Sequence, residues 1–283
     1  MAAKQKGGLK PDVGTLAGIG LALAGILGGL ILEKGSIRDV SQLTAGLIVF
    51  GGTFGAVLVT TPFPVFVQAF KSLREVFLER GNSAAETIET LTRFATHARR
   101  NGIVSLETEA DNVADPFLRK ALNLAVDGTD LNEIRSMMEI DIDVAEQAEE
   151  QKARVWEAAG GYSPTIGIIG AVLGLIQVMK HLDDISEVGH GIAVAFVATV
   201  YGVAAANILF LPFSNKLRAR IQQARLLKEL TLEGIIGIVE GLNPTLIRMK
   251  LSAFNQEAAE VVPTKGRASR SRVGMPQTVP AGD

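Results

Sequence analysis

Four long stretches of this sequence are apolar and contain no charged residue, and they limit what the chain can fold into more than any other feature. They are Val13–Leu32, Val40–Phe70, Ala158–Met179 and Val188–Asn215, each at least 20 residues long. An α-helix needs about 20 apolar residues to cross roughly 30 Å of hydrocarbon. Hydrophobic residues make up 47% of the chain but aromatic residues only 5%, which favours long aliphatic helices. The sequence therefore predicts an all-α, polytopic membrane protein with four transmembrane helices.

The basic residues predict the orientation of these helices. Of 28 Lys and Arg residues, 25 lie in the N-terminal tail, between the second and third apolar stretches, or after the fourth. Under the positive-inside rule, both termini and the large middle segment face the cytoplasm. The predicted organisation is a cytoplasmic tail (1–11), transmembrane helices 1 and 2 (12–63), an acidic helical cytoplasmic domain (64–157), transmembrane helices 3 and 4 (158–213), cytoplasmic amphipathic helices (214–254) and a disordered tail (255–283).

Capping signals predict helices in the acidic middle segment. Ser83 followed by Glu86 forms a capping box, which marks a helix start. The sequence "RRNG" at residues 99–102 is typical of the end of that helix, because basic side chains suit the last turn and glycine suits the C-cap. Asp130 and Glu133 form a second box, which predicts a long helix that runs towards the membrane.

Another amphipathic helix is predicted after the fourth apolar stretch. It has the sequence "KLRARIQQARLLKELTLEGIIGIVEGL", and Gly241 and Asn243-Pro244 are expected to stop it. From about Glu257 the chain is polar, with Pro, Gly and alternating Ser and Arg, a composition typical of disorder.

Small residues recur at helical spacing in the third and fourth apolar stretches. We call one set the small-residue seam; its members are Gly167, Gly170 and Gly174 of the third stretch and Ala195, Ala198 and Gly202 of the fourth. In lipid, helix association depends on close backbone approach, which small residues permit. The seam predicts tight packing either within one four-helix subunit or against helices of other chains. The sequence leaves both alternatives open.

No Asp, Glu, Lys or Arg lies inside any of the four stretches, and His190 is near the outer end of the fourth. A protein that conducts protons normally needs such groups at membrane depth, so a partner chain would have to supply a carboxylate. The polar candidates on this chain are Thr60, Thr61, Tyr162, Thr165, Thr199, Tyr201 and Asn207. With no cysteine, three scattered histidines and a net charge of −2, the sequence carries no metal, cofactor, enzyme or nucleic-acid signature.

Three stretches resemble the MotA/PomA flagellar stator subunits, within the wider MotA/TolQ/ExbB proton-channel family. They are "GGYSPTIGIIGAVLGLIQVM", "GHGIAVAFVATVYGVAAANILFLPF" and "LEGIIGIVEGLNP"; "RRNGIVSLE" matches as well. The resemblance implies a ring of five such chains around two MotB-type subunits, whose membrane helices carry the proton-accepting aspartate. In such a ring, the small-residue seam suggests that the third and fourth helices line the inside. A TolQ/ExbB-type energiser of envelope transport and a non-conducting membrane scaffold are the alternatives.

The resemblance assigns roles to prolines and charged residues. Pro164 and Pro212 match prolines that couple ion passage to motion, although each could simply mark a helix terminus. Arg99, Arg100 and Glu107 match a charged segment that faces a FliG-type rotor protein. The alternative for these three is a local role at helix ends, where such charges suit the macrodipole.

The resemblance also bears on the coupling ion. Thr199 matches a threonine shared by proton- and sodium-driven relatives, whereas Ala171 stands where the sodium-driven ones have threonine. Because sodium needs several oxygen ligands, the alanine favours protons. Tyr201 is a further candidate for the ion pathway.

Overall fold

A computed structural model describes residues 10–79 and 84–261, and most of these residues are helical. Four helical stretches are long and apolar enough to cross a membrane, as judged from length and composition. They are Val13–Leu32, Ile37–Thr60, Leu131–Lys180 and Ile185–Val239. This confirms the predicted fold class.

The α-helices of the described residues are α1 (Val13–Leu32), α2 (Leu43–Gly46), α3 (Gly52–Thr60), α4 (Phe63–Phe77), α5 (Ala84–Asn101), α6 (Glu107–Asn112), α7 (Pro116–Val126), α8 (Leu131–Lys180), α9 (Ile185–Ala204), α10 (Leu211–Val239) and α11 (Pro244–Val261). Short 3₁₀ segments occupy Ile37–Val40 and Ile103–Leu106. Wider π-helical turns, Leu47–Gly51 and Ala205–Phe210, join α2 to α3 and α9 to α10. Strands β1 (Lys10–Pro11) and β2 (Leu78–Glu79) pair antiparallel.

The second span ends earlier than its apolar stretch. Helix α3 stops at Thr60, and Thr61 is extended (φ −127°, ψ 131°) because the residue before a proline, here Pro62, is disfavoured in the helical region. The apolar stretch Val40–Phe70 therefore continues past the end of α3, which lies three residues before the predicted end of the second span at residue 63. The remaining residues belong to α4, which contributes its apolar face to a core at the inner end of the spans.

That core, the membrane-side core, gathers α3, α4, α8, the second π-helical turn and α10. Its buried residues are Val57, Ala69, Val76, Ala153, Val155, Trp156, Ala159, Ala205, Phe210, Phe213 and Leu217. Trp156 donates its indole N–H to the Ala69 carbonyl at 3.2 Å and lies against Phe70 and Phe213, with ring centroids 4.9 and 5.8 Å apart. The core fixes α4 beneath the membrane helices.

The long predicted helix is confirmed and continues into the third span. The Asp130 carboxylate accepts a hydrogen bond from Asn132 N (2.9 Å) and caps α8, a 50-residue helix of roughly 75 Å. Similarly, α9, the π-helical turn and α10 follow one another from Ile185 to Val239 without a break. The third and fourth spans therefore each continue out of the membrane as one unbroken helical segment.

Two predicted helix ends are confirmed. Helix α5 ends at Asn101, and Gly102 has a φ of 85°, which favours glycine. Helix α10 ends at Val239, ahead of Gly241 with a φ of 72°. The capping box predicted at Ser83 lies outside the described residues.

A second core, the extramembrane core, lies beyond the inner end of the spans. It is built by α5, α6, α7, the first turns of α8, the last turns of α10, and α11, with fully buried Leu91, Leu106, Leu122, Ile134, Met138, Ile235, Ile247 and Leu251. Helix α11 continues to Val261, past the predicted start of the disordered tail at residue 255. The rest of that predicted tail, residues 262–283, lies outside the described residues.

Candidate functional site

The small-residue seam packs α8 against α9 inside one subunit. A Cβ built at Gly202 would lie 2.5 Å from the Ser163 carbonyl oxygen, and one at Gly167 would lie 2.9 Å from that of Ala198. One at Gly174 would lie 2.8 Å from the backbone nitrogen of Ala195. Such distances leave no room for a side chain, so the two backbones are in direct contact.

This packing corrects one expectation from the sequence. The seam was the reason for expecting that its face of the third and fourth helices lines a ring. That face is occupied within the subunit, and Gly170 additionally faces Ile48 of the second span, which a Cβ would approach to 3.3 Å. A ring lining has to use other faces of α8 and α9.

Those other faces are apolar and uncovered in the single chain. The exposed large side chains of the two membrane helices include Ile168, Ile169, Val172, Leu173, Leu175 and Ile176 on α8 and Ile192, Phe196, Val200 and Val203 on α9. The sequence showed that these residues are apolar but not that they point away from the seam.

Thr199 and Ala171 lie at the margin of the seam, and both are half-buried. The Thr199 hydroxyl donates to the Ala195 carbonyl of its own helix at 3.2 Å, so its lone pairs remain available as acceptors. Ala171 is one turn from Gly167 along α8, and a Cβ at Gly167 would lie 3.5 Å from the Thr199 Cα. The two predicted ion-pathway residues therefore lie in the same part of the contact between α8 and α9.

Tyr201 is fastened to the second span instead. Its hydroxyl donates to the Val40 carbonyl (2.6 Å) and accepts from Gln42 N (3.3 Å), and its ring lies 6.4 Å from that of Phe50. The phenolic proton is thus engaged with the backbone that precedes α2. These contacts connect the fourth span to the start of the second, and the role of Tyr201 in the ion pathway stays a prediction.

Pro164 lies in the interior of α8, not at a terminus. Proline removes the hydrogen bond to the residue four before it and crowds that residue's carbonyl, here Gly160. Gly160 is itself tightly packed, since a Cβ there would lie 2.5 Å from Leu211 Cδ2. The neighbouring Ser163 has a buried hydroxyl without a hydrogen-bond partner among the described residues. The interpretation as a helix terminus is wrong.

Pro212 also lies within a continuous helix. It is in the first turn of α10, directly after the π-helical turn Ala205–Phe210. A π-turn widens the backbone ladder locally, and such turns are common at functional positions in helices. The fourth span therefore continues through Pro212, and the interpretation as a helix terminus is wrong here too.

The predicted rotor-facing residues form one exposed corner. Arg99 and Arg100 end α5, Glu107 begins α6, and Gly102 turns the chain between them. Within the described residues none of the three charged side chains has an ion-pair partner, although their helix-end positions also suit the macrodipole. Val104 protrudes between them with 62% of its surface exposed, which the sequence did not reveal.

Sequence reasoning missed a charged cluster at the inner end of α1. The Asp12 side chain, one-tenth exposed, accepts from Lys216 Nζ (2.6 Å) and Arg220 Nη2 (2.9 Å) and also caps α1 by accepting from Thr15 N (2.9 Å). Burial opposes ionisation of Asp12, but the hydrogen bonds from Lys216 and Thr15 outweigh it and hold its pKa far below the usual range. The position of Asp12 three residues before Thr15 is a local sequence signal for a helix cap. No local signal in the sequence links Asp12 to Lys216 or Arg220.

Comparisons of the sequence with family models and with known proteins identify the same family. The model described as Motility protein A N-terminal matches residues 16–102, and that of the MotA/TolQ/ExbB proton channel family matches residues 109–229. Motility protein A of Bacillus subtilis is 33% identical over 94% of this chain and 96% of its own length.

Two solved structures share the fold. One, the MotAB structure of C. jejuni, has a TM-score of 0.82 at 36% identity and covers 86% of this chain and 95% of that chain. The flagellar MotAB stator complex of Bacillus subtilis has a TM-score of 0.79 at 33% identity and covers 87% of this chain and 98% of that chain. These matches favour MotA over the TolQ/ExbB alternative. The chain belongs to the Motility protein A group of the MotA/TolQ/ExbB proton channel family.

Proposed function

We propose that this chain is a flagellar motor stator subunit that, with a MotB-type subunit, forms a complex converting proton motive force into rotation. The observation that carries the proposal is the α8–α9 hairpin. It closes on itself through the small-residue seam and leaves its other apolar faces exposed, and its apolar stretches contain no Asp, Glu, Lys or Arg. Such a hairpin suits a chain that surrounds partner helices and takes its titrating carboxylate from them.

The assembly that we propose is a ring of five copies around a MotB-type pair, in the inner membrane and with both termini cytoplasmic. The basic residues support the orientation, since 25 of 28 lie on the side assigned to the cytoplasm. The solved relatives named as MotAB complexes support a MotB-type partner. The exposed side chains of α8 and α9 are then covered by neighbouring chains and lipid.

The proposed ion pathway passes beside Thr199 and Ala171. The lone pairs of the Thr199 hydroxyl can hydrate the partner's aspartate, whereas the Ala171 methyl supplies no oxygen. A sodium site would need several oxygen ligands there, so we propose proton coupling. Pro164 and Pro212, both in unbroken helices, are the proposed points where ion passage changes helix geometry.

The proposed rotor contact is the exposed corner of Arg99, Arg100 and Glu107. These charges are of both signs and exposed, and they have no ion-pair partner in the part of the chain that the structure describes. Such charges suit electrostatic pairing with a charged rotor protein of the FliG type. Charge reversal at Arg99 should impair rotation, and a compensating reversal on the rotor protein should restore it. If every rotor reversal fails to restore rotation, these residues have only their local helix-end role.

The function is tested by expressing this chain with a MotB-type partner in cells that lack their own stator. We expect rotation that requires the partner's membrane aspartate, stops with a protonophore and is independent of external sodium at fixed pH. No rotation, with a complex that assembles normally, would contradict the stator function. Rotation that survives the protonophore and rises with sodium would overturn only the coupling ion.

A further inference from the structure

The two buried cores of the molecule are separated along both of the helices that connect them. On α8, Ile142 belongs to the extramembrane core and Ala153 to the membrane-side core, and no residue between them is buried. On α10, Leu217 and Leu230 are the corresponding limits. Among the described residues, α8 and α10 are the only helices that contribute to both cores. At 1.5 Å per residue, the gap is about 16 Å long on α8 and about 20 Å long on α10.

We call this region the neck; it comprises residues 143–152 of α8 and 218–229 of α10. Helix pairs in proteins are usually held by an apolar stripe on each helix, because burial of apolar surface supplies most of the attraction. The neck has partly exposed side chains on both helices and no fully buried one. Ile221, at the upper end of the neck, is partly buried and packs against the membrane-side core. In the rest of the neck, contacts between polar side chains connect the two helices.

Arg218 makes the upper connection across the neck, next to the membrane-side core. Its Nε lies 2.9 Å from Glu150 Oε1, and its Nη2 lies 2.6 Å from Glu157 Oε2. The guanidinium thus bridges two carboxylates that are two turns apart on α8. Its hydrogen bond to Glu157 raises the pKa of Arg218, and the same hydrogen bond lowers that of Glu157.

Arg225 makes the lower connection, next to the extramembrane core. It pairs with Glu146 and lies 3.2 Å from Asp143 on α8, while Glu229 one turn along α10 accepts from its Nε at 2.7 Å. Gln222 adds a hydrogen bond of 3.0 Å to Glu146. The carboxylates on α8 therefore face the cations on α10 along the whole neck.

Water and salt reach this contact from the side. An open groove of about 840 Å³ is lined by residues of both neck helices, including Glu146, Glu150, Arg218 and Arg225. The two arginines are about one-third exposed. Ion pairs in such surroundings are screened by dissolved salt, whereas apolar contacts are not weakened in this way.

We infer that Arg218 and Arg225 are positioning residues that hold the extramembrane core in register with the membrane helices through an ion-paired joint. Because the rotor-facing corner belongs to the extramembrane core and the spans to the other end of the neck, force between them passes through this joint. The role in transmitting force rests on the proposed stator function, whereas the role of the two arginines in holding the helices does not.

Hydrogen exchange of the purified complex with a MotB-type partner tests the joint itself. Raising the salt from about 0.1 M to about 1 M shortens the Debye length from about 10 Å to about 3 Å. We expect several-fold faster amide exchange in residues 143–152 and 218–229, with both cores unchanged. Arg225→Gln should produce the same loss of protection at low salt. Amide exchange in the neck that changes neither with salt nor with the substitution would overturn the inference.

Lys120→Gln is the matched control. It also removes an ion pair, with Asp141 of α8 at 2.6 Å, but its helix α7 shares the extramembrane core with α8. We expect no change of exchange in the neck. Loss of neck protection in this variant as well would show a general effect of charge, and would contradict a special role of Arg218 and Arg225.

Two leucine substitutions, at Arg225 and Glu146, distinguish a role in positioning the helices from a requirement for the charges themselves. In Arg225→Leu alone, Glu146 loses its main partner, and we expect slower rotation and a loosened neck. Adding Glu146→Leu gives the two helices an apolar contact, which should restore rotation and make neck exchange insensitive to salt. Rotation at the wild-type speed in the single variant would overturn the positioning role. A wild-type complex that does not rotate at all would refute the stator function, while the exchange data still decide the joint.

Discussion

Helix α1 and the α8–α9 hairpin are both rich in glycine, yet they use it in opposite ways. On α8, Cβ atoms at Gly167, Gly170 and Gly174 would all collide with α9. On α1, Cβ atoms at Gly18, Gly20, Gly25, Gly28 and Gly29 would meet nothing within 4 Å, and none of its residues is buried. Glycine content therefore indicates that a membrane helix is able to pack closely, but not whether it does so within its own chain.

The two regions are also held in different ways. The hairpin is held along its length by contact between backbones. Helix α1 is held chiefly at its inner end, where Asp12 binds Lys216 and Arg220 and where the Asp12 backbone N–H donates to the Phe77 carbonyl at 2.8 Å. A change in the middle of α1 and a change in the middle of α8 should therefore have very different effects.

The largest effect is expected from Gly202→Leu in the hairpin. The new side chain would begin 2.5 Å from the Ser163 carbonyl oxygen, and backbone on both sides prevents a small local shift. Overpacking usually costs about 1–3 kcal/mol, and this rigid site should be at the upper end. We expect loss of the assembled complex in size-exclusion chromatography and loss of rotation. Normal assembly would show that α8 and α9 are not in contact at this position.

Pro164→Ala should abolish rotation and leave the complex intact. Alanine restores the backbone donor to the Gly160 carbonyl, and proline in a helix interior costs about 3 kcal/mol, so α8 should become stiffer and at least as stable. Heat denaturation of the purified complex and rotation of tethered cells measure the two parts. Normal rotation would discard the hinge, and a loss of assembly would show that the proline is needed for packing.

Asp12→Asn should weaken the attachment of α1 without affecting the hairpin. Hydrogen bonds to charged groups are worth about 1.5–3 kcal/mol, and the substitution leaves Lys216 and Arg220 without their carboxylate. We expect a lower thermal midpoint and faster proteolysis near the start of α1. Unchanged values in both assays would show that α1 is held elsewhere.

The same residue predicts a pH dependence. Because the pKa of Asp12 is lower in the folded chain than in the unfolded one, its stabilisation is fully present above the ordinary carboxyl range and lost as the pH falls below it. Asp12→Asn should therefore reduce the thermal midpoint at pH 7 and have less effect in strong acid. An effect that grows as the pH falls would contradict the assignment.

The smallest effect is expected from Gly25→Leu on α1. The position is open in the single chain, so the change should leave membrane insertion and the fold of the subunit intact. Insertion and the thermal midpoint are the measurements, with Gly202→Leu as the matched comparison. A loss of the subunit fold here would erase the difference between the two regions.

The sequence predicts well those features that depend on neighbouring residues. The bounds of α1 follow from an unbroken apolar run, and the end of α5 follows from the left-handed conformation that Gly102 adopts. The second apolar stretch is longer than the second span because hydropathy is continuous across Pro62, where the backbone direction changes. Hydropathy measures length and composition but not the path of the chain.

Features that depend on distant residues were missed. Asp12 is more than 200 residues from Lys216 and Arg220, and nothing local links them. The spacing of the small-residue seam predicted that the two helices pack closely, but helical periodicity does not reveal the partner of a face. Pro164 and Pro212 were ambiguous because a helix can pass through a proline when the surrounding contacts hold it.

Cysteine cross-linking tests most directly the central claim that the small-residue seam closes the α8–α9 hairpin within one chain. The chain has no native cysteine, so Ala171→Cys on α8 and Thr199→Cys on α9 can be introduced alone or together. Both residues are half-buried at the margin of the seam and already carry a Cβ, so the new thiols do not have to fit between the two backbones. We predict that the double variant forms a disulfide within single chains on oxidation. Co-assembled single variants should give no cross-linked dimer. Dimers from the single variants, with no bond inside the double variant, would contradict the account and place the seam between subunits.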